Sequence, residues 1–192
     1  MTAKWPAALI LLGGLAVPPA FAQDVFTFDS RALRAGDTFI FVSDQGKTVQ
    51  LTHMGPGLYE KPDGSIMRRD ADGNALQNGD TTFEPHSGIR PPGSGGELVV
   101  GDSWTHTYTQ AGIGRTRKCK IEKREDLSIK AGLFPGAYRV TCVNQRSGRS
   151  LPKYEEIWFA PGLDFEIKFI AKWGGSSPGT FWCEVTEVRL AE

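Results

Sequence analysis

Between Asp164 and Lys172 apolar and polar side chains alternate residue by residue: Phe165, Ile167, Phe169 and Ala171 fall on one face, and Glu166, Lys168 and Lys172 on the other. A period of two marks a half-buried antiparallel strand. Shorter runs of the same character recur along the chain. Residues 38–42, 48–52 and 57–60 read as strands separated by Asp44-Gln-Gly and His53-Met-Gly-Pro-Gly. The C-terminal half adds candidates at 103–109, 115–123, 137–144, 153–160, 164–172 and 180–190. In Lys61-Pro-Asp-Gly-Ser and Asp70-Ala-Asp-Gly-Asn, an Asp-Gly pair stands where a tight hairpin turn needs positive φ. Arg31-Ala-Leu-Arg is at most one helical turn before Gly36. The pattern predicts an all-β protein, an antiparallel sandwich or incomplete barrel built from hairpins.

From Phe83 to Gly101 the character changes, with Pro85, Pro91-Pro92 and Gly93-Ser-Gly-Gly. This composition predicts a connector without a continuous strand or helix, either wrapping the surface or acting as a hinge. The expected organisation is an N-terminal β-meander lobe over 23–80, a Pro/Gly-rich connector over 81–101 and a C-terminal antiparallel lobe over 102–192. Residues 1–22 are a different matter. Lys4, an apolar run from Ala7 to Val17, and Ala20-Phe-Ala22 form the three-part layout of a secretory signal peptide, with cleavage expected after Ala22. The run is too short for a membrane anchor, which needs about 20 apolar residues. A periplasmic or secreted product without a transmembrane anchor is the expectation.

Charge narrows the partners further. The 192 residues carry 22 Lys and Arg against 22 Asp and Glu. Such a balance gives no long-range field for nucleic acid. Export also makes a disulfide permissible, and the three cysteines are Cys119, Cys142 and Cys183. A Cys119–Cys142 bridge would staple two neighbouring strands. Cys183 shares a face with Phe181 and Val185, which makes it a candidate buried thiol.

Familiar catalytic signatures are missing: there is no Gly-x-Ser-x-Gly, no phosphate-cradling Gly-x-x-x-x-Gly-Lys and no His-Glu-x-x-His. Neither a cofactor nor a metal is expected. Asp70-x-Asp72-x-Asn74 opens like a calcium loop, but Ala75 replaces the glycine and Thr81 the bidentate glutamate, so a hairpin turn accounts for it. His53, His86 and His106 have no supporting spacing. In the densest basic run, Arg115, Arg117 and Lys123 share the face of Cys119 and Ile121, while Lys118 and Lys120 point the other way. The expected role is a solvated or gatekeeping edge strand, with an anion site as the competing reading. Aromatic residues are the remaining lead. Trp104, Tyr108, Trp158 and Trp173 are candidate ligand-binding residues because aromatic faces stack on sugars or line apolar pockets; packing in the core is the competing use.

Three elements, Val100-Gly-Asp-Ser-Trp, Lys130-Ala-Gly-Leu-Phe-Pro-Gly-Ala-Tyr-Arg-Val and Trp158-Phe-Ala-Pro-Gly-Leu-Asp, occur in this order. The chain thereby resembles a group of uncharacterised exported bacterial β-domains with vGxxW, aGxFxayrv and WyaPGvG elements. It departs from them at Asp164, where glycine is usual, and by Pro-Gly at 135–136. The resemblance implies a secreted antiparallel β-domain and carries no catalytic residues. The resulting expectation is a non-enzymatic domain binding an unknown envelope component or protein partner, or serving as a structural subunit. The alternative is a hydrolase of an envelope polymer using two carboxylates from among Asp102, Glu155, Glu156 and Asp164.

Overall fold

The computed structural model describes residues 27, 33–69, 75–87, 98–149 and 151–192, and these contain no helix. The strands are β1 (Thr38–Ser43), β2 (Thr48–Gly55), β3 (Leu58–Glu60), β4 (Ile66–Arg69), β5 (Ala75–Asn78) and β6 (Thr81–Ser87). They continue as β7 (Ser103–Gln110), β8 (Ile113–Ile129), β9 (Gly132–Arg146), β10 (Lys153–Phe159), β11 (Glu166–Trp173) and β12 (Gly179–Arg189). Each pairs antiparallel with the next, and β12 returns to pair with β1, so the sheet closes into a barrel. The expected sandwich or incomplete barrel is therefore corrected. Closure removes both sheet edges at once. The N- and C-terminal halves share this one sheet, joined on one side by β6 with β7 and on the other by β1 with β12. The expected signal peptide, residues 88–97 of the expected connector and the Asp70–Asn74 motif lie outside the described residues.

Within the predicted connector the chain forms β6, with Pro85 opposite Tyr108 on β7. Proline lacks only its own N–H, and the register slips just after it, between Pro85 and Ser87, where the ladder tolerates the loss. In the β3–β4 hairpin the Lys61-Pro-Asp-Gly-Ser turn forms as the sequence predicts. Lys61 and Gly64 donate to the carbonyls of Ser65 and Lys61, both at 2.9 Å, and Gly64 takes φ of 77°.

One face of every strand looks into the lumen. Around its apolar end Phe39, Leu51, Tyr59, Met67, Ile167 and Val185 are buried with Phe165. The Phe165 ring lies edge-on to Phe39 at 4.8 Å, to Tyr59 at 5.4 Å and to Phe41 at 5.9 Å. Such offset contacts suit the aromatic quadrupole. The neighbouring Asp164 accepts a hydrogen bond from the Tyr59 hydroxyl, and burial, then Asp164, raises the Tyr59 pKa. A second cluster holds Ile121, Val140, Ile157 and Phe159 beside Cys119 and Cys142, which form the predicted disulfide.

The seam is fixed by Asp37, just before β1. Its fully buried carboxylate accepts from the backbone N–H of Arg34 and from that of Ala191, both at 2.8 Å. The same residue's carbonyl accepts from His53 N–H at 2.8 Å, and the His53 ring lies 3.0 Å from the Arg34 carbonyl. One acidic side chain thus ties the two ends of the described barrel together, using hydrogen bonds strengthened by its charge.

Candidate functional site

Alternation outward from the disulfide defines the other end of the lumen. On β8 the inward positions before Cys119 are Arg117 and Arg115; on β9 those after Cys142 are Asn144 and Arg146. On β7, Trp104 stands opposite Cys119, His106 opposite Arg117 and Tyr108 opposite Arg115. Lys153 on β10 faces Asn144, and Glu155 faces Cys142. The lumen passes from apolar through the disulfide to polar within two residues of each strand.

Glu155 organises the polar end. It is 4% exposed, accepts from Arg117 Nε at 2.7 Å and from Asn144 Nδ2 at 3.2 Å, and lies 3.3 Å from Lys153 Nζ. Asn144 also donates to the Tyr108 hydroxyl at 3.3 Å, and the Lys153 ammonium sits 5.0 Å from the Phe169 ring centre. Burial alone pulls the Arg117 pKa down; the charges of Glu155 and Glu166 outweigh it, so the pKa is raised and the guanidinium stays charged. Burial likewise opposes ionisation of Glu166, but Arg69, at 2.9 Å, and Arg117 hold its pKa below the usual carboxylate range.

His106 stacks on Tyr108 with ring centres 4.9 Å apart. Burial, and then the Arg117 charge, push its pKa down to about 4, so the ring is neutral at pH 7. Its buried Nδ1, the Arg115 Nε and the Asn144 Oδ1 find no hydrogen-bond partner among the described residues. A folded protein leaves few buried polar atoms unpaired because each costs about 1–3 kcal/mol. Three in one stretch of lumen are the main departure from a packed core here.

The four candidate aromatic residues are not brought together. Trp104 and Tyr108 line the lumen. Trp158 occupies the opposite face of the sheet from Ile157, with Arg139 at 5.6 Å and Lys168 at 5.8 Å from its ring centre and its Nε1 donating to Glu125 at 3.0 Å. Trp173 is 40% exposed and donates to the Ser177 carbonyl at 3.1 Å. The four carboxylates are dispersed too: Glu155 faces inward, and Glu156 bonds outward to Arg139 at 2.6 Å and Lys172 at 3.1 Å. Asp164 receives Tyr59, while Asp102 is exposed beside β7. Arginine and lysine hold the Glu156 pKa low against the effect of its burial, which does not suit a general acid.

The edge-strand expectation for 115–123 is corrected, since β8 is paired on both sides and Arg115 and Arg117 face the lumen, while a register slip after Ile121 leaves Lys123 exposed rather than inward. Asn144, Lys153 and Arg146 escaped the sequence reading, although counting in twos from Cys119 and Cys142 marks Arg115, Arg117, Asn144 and Arg146. Cys183 does lie on the inward face, half-buried, where burial and then Glu166 push its thiol pKa up to about 11 and favour the protonated thiol at neutral pH. Among the described residues no three His, Cys, Asp or Glu side chains cluster to hold a metal.

Apart from the lumen, an open cleft of about 540 Å³ lies over β3 to β5, lined by Pro56, Leu58, Ile66, Arg68 and Gln77 among others. The outer positions Ser103, Thr105, Lys118 and Lys120 are exposed, and β3 to β5 have only three or four residues each. Lipid-spanning strands need about 9–11 residues and an apolar outer face.

No family model matches the chain, and no curated protein matches it in sequence. Solved structures give partial likenesses. A candidate lipoprotein from Parabacteroides distasonis superposes with a TM-score of 0.48 at 9% identity, over 83% of this chain and 98% of its own. A candidate exported protein with a YmcC-like fold from Bacteroides fragilis gives 0.47 at 12% identity, over 82% and 97%. The hypothetical lipoprotein YmcC from Escherichia coli gives 0.46 at 9% identity, over 79% and 83%. At this level the likenesses assign no function.

Proposed function

We propose that the protein is an exported, non-enzymatic β-barrel that binds a polar envelope molecule in the polar end of its lumen. Export rests on the leader-like N-terminus ending in Ala20-Phe-Ala22. Binding rests on one observation: buried polar atoms of His106, Arg115 and Asn144 stand together on the lumen face with no partner among the described residues. A ligand that hydrogen-bonds to them removes a desolvation cost that the folded chain otherwise carries. Trp104 and Tyr108 supply apolar walls on the same face. This is how binding sites are usually built, from a few converging polar groups against aromatic surface.

The test is native mass spectrometry of the protein isolated gently from its host, alongside the Asn144→Leu variant, which removes the amide at the centre of the network. The expected result is a retained small-molecule mass on the wild type that is depleted on the variant. A bare protein mass across envelope preparations overturns the proposal, as does a mass retained equally by both proteins.

A further inference from the structure

In the last inward row of the lumen, Arg115 and Arg146 stand directly opposite each other on β8 and β9. Like charges in that position repel, and a chain gains nothing in stability from placing them there. Neither arginine makes an ion pair with a described residue, and Arg115 Nε is buried without a hydrogen-bond partner among them. The nearest inward cations, Arg117 and Lys153, are already engaged with Glu155. Among the described residues these two rows therefore hold four inward cations and no acid, and Glu155 one row deeper is saturated. A guanidinium pair left over in this way matches the planar, two-toothed acceptor face of a carboxylate or phosphate.

The next inward residue on β9 after Arg146, counting back toward the disulfide, is Asn144, roughly 7 Å away along the strand. Its free Oδ1 accepts and cannot donate, so it asks for a hydroxyl or N–H rather than a second negative charge. We infer that Arg115 and Arg146 clamp the oxyanion of a small hydroxylated acid, with Asn144 Oδ1 receiving a hydroxyl of the same molecule. Both a glycerol phosphate headgroup and an acidic sugar carry this chemistry. The inference rests on the lumen being a binding site and deepens that reading.

The experiment is calorimetric titration and thermal unfolding of the full mature chain with sn-glycerol 3-phosphate, D-glucuronate and neutral glycerol. The double variant Arg115→Gln/Arg146→Gln is run in parallel. Expected are saturable binding and a raised Tm with one of the two acids and not with glycerol; the acid that binds identifies the source. In the double variant, affinity falls by about 10- to 100-fold per guanidinium lost. Without ligand its Tm equals or exceeds that of the wild type, because a repulsion has been removed, and this excludes misfolding as the cause of lost binding. Absence of binding by both acids overturns the inference, as does equal binding by glycerol or undiminished binding by the variant. A native mass retained by the wild type but insensitive to this variant overturns the clamp alone. Binding of the simple acids with no mass retained from the host overturns the envelope reading alone.

Discussion

The two ends of the lumen are built from the same alternation and do opposite things. At the apolar end every inward residue adds to burial: Phe39, Tyr59, Phe165, Ile167 and Val185 are at most 1% exposed and touch one another. Beyond the disulfide the same inward positions carry His106, Arg117, Asn144 and Arg146, where charge, and polar atoms without a partner among the described residues, cost stability. Folding needs the first end. The second is the end we propose to hold a ligand.

Phe165→Ala tests the contrast most severely. Removing a ring that meets three others should cost about 3–5 kcal/mol in urea unfolding. A loss below about 1 kcal/mol would show that the apolar end is not the stabilising one. At the polar end Glu155→Leu leaves Arg117 buried without its carboxylate and should cost about 3 kcal/mol, whereas Glu155→Leu/Arg117→Met should recover most of that loss. If the double variant were as unstable as the single, the ion pair would be contributing to the fold and the contrast between the ends would fail.

The smallest effect is a pH dependence. The folded His106 pKa lies near 4, below the unfolded value of about 6.5, so the unfolded chain takes up its proton first as the pH falls. The stability contributed by neutral His106 is therefore complete above pH 6.5 and is lost progressively down to about pH 4. Carboxylates with depressed pKa values, Glu156 and Glu166, add their own loss below about pH 4.5. Tm measured from pH 7 to 5 should fall in the wild type and flatten in His106→Gln; equal slopes would place His106 outside the buried network.

Much of the barrel was legible because strands announce themselves locally. The alternation of Phe165 to Ala171, the Asp63-Gly64 turn and the pairing of Cys119 with Cys142 all follow from short stretches of sequence. Closure did not, since the partner of β1 lies about 150 residues away, and the Asp37 to Ala191 bond that seals it has no local signature. β6 was hidden by Pro85, which reads as a breaker although a strand next to a register slip accommodates it. The polar site was hidden for a different reason. Alternation from Cys119 and Ile121 puts Arg115 and Arg117 on one face, but with polar residues on both faces the sequence does not show that this face is the inward one. Only the disulfide fixes the phase.

Backbone amide NMR of the labelled protein titrated with envelope extract tests the central claim most directly. The account predicts shifts concentrated at His106, Tyr108, Arg115, Arg117, Asn144 and Arg146, with the outer aromatics Tyr154 and Trp182, 56% and 39% exposed, left unchanged. Shifts centred on Tyr154 and Trp182 with a silent lumen would contradict it.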